Sequence, residues 1–128
     1  MGIGDWGVGI GDWGGSEKET KAAEYLRARG VKILESNYSC RAGEVDLIGI
    51  DSGCLVFFEV KWRRSGYSGN PSEAVDRRKQ QKICRVCENY RMFHTEVYKM
   101  QVRFDVLAME EEEVNWIKNA FDYTGRGF

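Results

Sequence analysis

Apolar positions along the chain recur with two periods, separated by glycine-rich or charged breaks. Ala22, Ala23 and Leu26 fall on one side of a helix together with Glu19. Ser16 and Glu19 form an S-x-x-E capping box in front of them, and Gly30 supplies a stop. Val31–Glu35 reads as a strand and Asn37–Ala42 as a loop. Glu44–Ile50 and Leu55–Trp62 alternate with period two on either side of Ser52-Gly53, which predicts a two-residue hairpin. A glycine-rich loop at Ser65–Gly69 leads to Asn70 and Pro71, read as the cap and first position of a second helix that runs to about Tyr90. Val97–Met109 reads as a strand interrupted by charges, and Val114–Phe121 fits a strand or a helix. The order α-β-β-β-α-β predicts an α/β fold with a mixed central sheet flanked by helices. GIGDWG occurs at Gly2–Gly7 and again at Gly9–Gly14, so residues 1–15 are expected to form an arm outside a single domain over residues 16–128.

The hairpin carries the chemistry. Its turn pairs Ile50 with Leu55, Ile48 with Phe57, Asp46 with Glu59 and Glu44 with Lys61, and alternation puts all eight on one face. Val45, Leu47, Val56, Phe58, Val60 and Trp62 take the other face, as core. Asp46 and Glu59 are like charges set directly opposite, which destabilises a strand pair. Lys61 neutralises one of them, so a cation is expected for the second. Hard carboxylate oxygens suit Mg²⁺ or Mn²⁺ better than zinc. A simpler reading stands beside it, in which Glu59 and Lys61 form a solvated cross-strand salt bridge of little energetic weight.

Composition narrows the setting. No stretch approaches the ~20 apolar residues of a membrane span, and the start has no basic-then-apolar leader pattern. Four cysteines without such a leader predict free thiols in a reducing cytoplasm. A net charge of −1 excludes a wholly basic nucleic-acid binder. The average hides a cluster: Lys61 to Arg85 holds eight Lys and Arg against Glu73 and Asp76. A polyanion would meet that face alone.

The segments AAEYLRARGVKILESNYSCRAGEVDLIGID, LVFFEVKWRR, NPSEAVDRRKQQKI, VRFDVLAM and IKNAF resemble the YraN-like proteins. That group belongs to the PD-(D/E)xK nuclease superfamily and is similar to archaeal Holliday-junction resolvases. The resemblance runs from Glu19 to Phe121 and implies a restriction-endonuclease-like core. Its motif D-x12-E-x-K falls on Asp46, Glu59 and Lys61. By resemblance, Asp46, Glu59 and the Val60 carbonyl would bind Mg²⁺ or Mn²⁺, with Glu19 near the metal. Lys61 would orient the attacking water or stabilise charge on the phosphate. Lys18 stands where the family has glycine, which makes Glu17 a second candidate for the role of Glu19. Lys79 matches a helix lysine that meets the phosphate backbone.

Arg63, Arg64, Arg77, Arg78, Lys79 and Lys82 would grip DNA phosphates without reading bases, and Tyr67 would stack on a base. The implied activity is structure-directed DNA endonuclease, on branched or single-stranded substrates, with no membrane partner and room for a homodimer. The alternatives are a binding module without turnover and an assembly protein with a basic face. Cys84 and Cys87, with Cys40 and Cys54, match no tight two-pair zinc spacing. His94 is expected at the surface, Asp105 in a structural ion pair with Arg103, and Glu110–Glu113 in a solvated turn.

Overall fold

The computed structural model describes residues 13–62, 75–110 and 113–123. The elements are α1 (Trp13–Ala28), β1 (Lys32–Cys40), β2 (Gly43–Asp51), β3 (Cys54–Trp62), α2 (Arg77–Phe93), a 3₁₀ turn (Thr95–Val97), β4 (Gln101–Met109) and β5 (Val114–Phe121). The five strands form one mixed sheet in chain order, β1-β2-β3-β4-β5. Only the β3–β4 pair is parallel. Parallel neighbours need a crossover, and α2 lies within it.

The hairpin between β2 and β3 has the expected register from its turn to Leu47–Phe58, but the expected pairs Asp46–Glu59 and Glu44–Lys61 are not formed. Asp51 pairs with Cys54, Ile50 with Leu55, Ile48 with Phe57 and Leu47 with Phe58. Ser52 and Gly53 both take positive φ, 52° and 81°, as a primed hairpin turn requires. On one face, Ala22, Ala23 and Leu26 of α1 pack on Leu47, Val56, Phe58, Leu107 and Met109. On the other, Ile83, Val86, Cys87 and Tyr90 of α2 cover Val45, Ile48, Leu55, Phe57, Phe104 and Val106. Strict alternation put Val45 with Leu47, yet it packs on the α2 side. The strand is irregular between them, at Asp46.

Four local expectations need correction. Helix α1 is already formed at Trp13, so Ser16 is an interior position and its capping box is not what places Glu19. The arm expected over residues 1–15 lies outside the described residues up to Asp12, and its last three residues belong to α1. Strand β1 runs through the predicted loop to Cys40 because Asn37 adopts a left-handed φ of 52° inside it. Asparagine tolerates that conformation better than most residues, so a turn signal in the sequence became an irregularity within a strand. Helix α2 starts at Arg77, where Asp76 caps it by accepting the Lys79 N–H at 2.9 Å. The loop at Ser65–Gly69, Asn70, Pro71 and Tyr67 lie outside the described residues. The 3₁₀ turn precedes β4, and Val114–Phe121 is a strand. Among the described residues no helix is long and apolar enough to cross a membrane.

Asp105 fastens β5 to the sheet. It is 1% exposed and accepts from Arg103 Nε at 2.9 Å, Trp116 Nε1 at 2.8 Å and the Asn119 N–H at 2.9 Å. Arg103 also reaches Asp51 at 2.7 Å, and these carboxylates hold its guanidinium above its ordinary pKa. The expected ion pair is therefore part of a larger network that closes the register shift in β4–β5 around Asn119, at φ 55°. Removing one partner of a buried charge network leaves the others uncompensated, at about 3–5 kcal/mol. Asp105→Ala should accordingly lower the unfolding free energy in urea by about that amount. A loss below about 1 kcal/mol would show that the network is no stronger than an exposed ion pair.

Candidate active site

The β2–β3 ladder stops at Leu47 and Phe58. The alternation of bonded and non-bonded pairs makes Val45 and Val60 the next rung that would exchange backbone hydrogen bonds. The Val60 N–H donates instead to Asp46 Oδ2 at 2.7 Å. One side chain thus replaces a rung, and the two strands part where the charged residues sit. The C=O of a strand residue points to the same side as its N–H, so the Val60 carbonyl opens toward that gap.

Glu59 follows on β3, on the α2 side. It is 4% exposed, and its Oε2 lies 3.2 Å from Lys61 Nζ and 2.7 Å from Lys79 Nζ. Lys79 is delivered by the first turn of α2, directly after the Asp76 cap. Burial raises the Asp46 carboxyl to about 6, helped by the Glu59 charge and opposed by the Val60 N–H, Lys79 and Lys61. Burial also works against the Lys79 ammonium, but the hydrogen bond and charge of Glu59, with Asp46 and Glu44 further off, raise its pKa. Asp46, Glu59, Lys61 and Lys79 therefore form one electrostatic unit.

This modifies the charge argument for a metal. Lys61 alone could not balance two acids, but Lys61 and Lys79 together do. The donor set still fits a small hard cation: Asp46 keeps Oδ1, Glu59 keeps Oε1, and Val60 offers its carbonyl. Mg²⁺ is commonly held by one or two carboxylates while it keeps several waters. Among the described residues no group of three or more His, Cys, Asp and Glu converges on one metal position. Protein ligands alone would make a sparse site.

Glu19, half-buried on α1, accepts a hydrogen bond from Asn37 Nδ2 at 2.6 Å. Asn37 stands across from Asp46, between the pairs Ser36–Leu47 and Tyr38–Val45. Glu19 is thereby tied to the strand beside Asp46. Neither Asn37 nor the inward turn of Lys79 was read from the sequence as part of the site. Asn37 had a signal, the loop-forming asparagine of ESNYSC in an otherwise strand-like segment.

Arg77, Arg78 and Lys82 are exposed on α2. Arg63, Arg64 and the Glu17 side chain lie outside the described residues. Cys84 and Cys87 are buried, and burial pushes the Cys87 thiol up to about 12, which disfavours the thiolate that binds metals. All four cysteines are free. His94 is half-buried rather than superficial. Its ring stacks on Tyr90 at 3.8 Å, and its Nδ1 donates to the Tyr90 carbonyl at 2.8 Å.

The fold and site define an α/β domain with a paired-carboxylate, paired-lysine centre at a splayed strand end. The profile of the uncharacterised protein family UPF0102 matches residues 18–109, and the chain belongs to that family. A UPF0102 protein from Lachnoclostridium phytofermentans is 43% identical over 111 residues, covering 87% of this chain and 94% of its own. Another, from Caldanaerobacter subterraneus subsp. tengcongensis, is 44% identical over 114 residues, covering 84% of this chain and 93% of its own. Among solved structures, a repair endonuclease from Pyrococcus abyssi superposes with a TM-score of 0.45 and 23% identity, over 80% of this chain and 42% of that one.

Asp46 makes stability depend on pH. Its folded-state value of about 6 exceeds the ordinary 3.8. Below the lower value the carboxyl is protonated in both states and carries no penalty. As pH rises through about 6 the folded protein must bear a charge that the unfolded chain bears more easily, so stability is lost. Asp46→Asn keeps an acceptor for the Val60 N–H and removes the charge. In chelator, urea unfolding should find it more stable than wild type by about 1–3 kcal/mol at pH 8, with the gap closing toward pH 4. A gap that does not change with pH would contradict this.

Proposed function

We propose that the protein is a metal-dependent, endonuclease-like hydrolase of DNA phosphodiester bonds, directed by DNA structure rather than sequence. The reading rests on one observation: a nearly buried Glu59 shares an oxygen with two lysines, beside an Asp46 that has left its ladder. A protein that only bound phosphates would bind better without the two acids. Mg²⁺ or Mn²⁺ held by Asp46, Glu59 and the Val60 carbonyl would polarise a phosphoryl oxygen and lower the pKa of a bound water. Lys61, fixed beside the scissile position by Glu59, meets the charge that develops on the phosphate or orients the water. Arg63, Arg64, Arg77, Arg78 and Lys82 hold the backbone, and Glu19, steadied by Asn37, supports the acidic side of the site. Such a protein would work in the cytoplasm on branched or single-stranded DNA. The restriction-endonuclease-like assignment of the core belongs to this reading. The competing reading, a module that binds without turnover, draws on the balance of two acids and two ammoniums.

Branched, single-stranded and duplex DNAs incubated with Mg²⁺ or Mn²⁺, and with chelator, test the proposal. Glu59→Gln and Lys61→Met should each lower metal-dependent cleavage by roughly 100-fold or more, while DNA binding persists. Cleavage unchanged in both variants would place the activity elsewhere. DNA affinity should be nearly independent of sequence and fall with log salt at a slope of about −0.9 for each phosphate contacted. Salt-independent binding, or none, would favour the assembly-protein reading.

A further inference from the structure

Glu59 is buried, and each of its two cationic partners has a different relation to the site. Lys61 stands two residues away on the same strand and on the same face. Lys79 comes from α2, makes the shorter contact, 2.7 Å against 3.2 Å, and is the more exposed, 44% against 27%. The charges of Glu59, Asp46 and Glu44 all act on it. Its ammonium therefore stands on one of the two carboxylates that would ligate a cation, within the field of the other. A divalent ion on Glu59 Oε1 would stand beside that ammonium on Oε2, and the repulsion between the two cations weakens its binding while Lys79 stays.

We propose that Lys79 is a placeholder for the metal, and that a phosphodiester draws it off Glu59 so that cation and nucleic acid load together. This rests on the function proposed above and adds a rule of order to it. A half-exposed lysine on a long, flexible stem can swing from Glu59 to an incoming phosphate without moving α2. The phosphate replaces the lost carboxylate as its partner, while Glu59 and Asp46 become free for the divalent ion. The phosphate's own oxygens complete a coordination sphere that the protein fills only in part. Free cation alone meets a site already neutralised from within. Lys79 thus acts as a specificity-determining residue, one that makes metal affinity conditional on substrate.

The test is metal affinity without DNA, read by the EPR signal of free Mn²⁺ at pH 8. Lys79→Met and, as a second variant, Lys79→Gln should bind Mn²⁺ at least about fivefold more tightly than wild type, with unaltered far-UV circular dichroism. Lys79→Arg keeps the charge and should not tighten binding. Equal or weaker Mn²⁺ binding in the Met and Gln variants overturns the proposal, as does equal tightening in the Arg variant. If neither wild type nor variants bind Mn²⁺ yet wild type cleaves DNA, the placeholder role alone falls. If they bind no Mn²⁺ and wild type cleaves nothing, the metal-dependent reading falls with it.

Discussion

A carboxylate that is 4% exposed, as Glu59 is, must be neutralised where it stands. An uncompensated charge at that depth would cost several kcal/mol. The rest of the site is arranged around this need. β3 brings Lys61 on the same face, α2 begins where Lys79 can reach, and Asp46 is engaged by the Val60 N–H. The position of α2 is therefore tied to electrostatics as well as to the apolar stripe of Ile83, Val86, Cys87 and Tyr90. Moving the helix by one turn would strip Glu59 of its nearer cation.

The parting of β2 and β3 is the second constraint. A regular ladder through Val45 and Val60 would close the sheet over the acids and leave no backbone carbonyl for a cation. Asp46 ends it by taking the Val60 N–H. The irregularity passes sideways into β1, where Asn37 adopts a left-handed backbone opposite Asp46 and binds Glu19. Local strain of this kind gathers at functional sites because regular structure would not place the groups there. At the far side of the sheet, the Asp51–Arg103–Asp105 network shows the contrasting use of buried charge. Its carboxylates are matched by Arg103, Trp116 and the Asn119 N–H, so it holds β5 in place.

Much of this was legible in the sequence because side-chain alternation and turn chemistry are local. The Ser52-Gly53 turn fixed the hairpin register, and with it the neighbourhood of Asp46, Glu59 and Lys61. Asp105 and Arg103 could be paired from spacing alone. Contacts between distant segments could not be read in this way. Lys79 was singled out by resemblance as a phosphate-contacting helix lysine, but its ion pair with Glu59 joins two distant segments and could not be read from RRKQQK. Asn37 looked like a loop because its turn propensity is real, and only the partner strand shows it inside a ladder. The start of α2 was misread for a related reason: Asn70 and Pro71 give a strong start signal, but Asp76 supplies the cap.

In the proposed site, Asp46 and Glu59 would hold a divalent cation whose charge the two lysines supply in its absence. A crystal grown with Mn²⁺ and a short DNA duplex, with data collected at a wavelength where manganese scatters anomalously, addresses this most directly. An anomalous peak about 2.1 Å from oxygens of both carboxylates, with Lys79 Nζ moved from Glu59 to a phosphate, is the expected result. DNA bound with no peak between the acids, and Lys61 and Lys79 still on Glu59, would contradict the account.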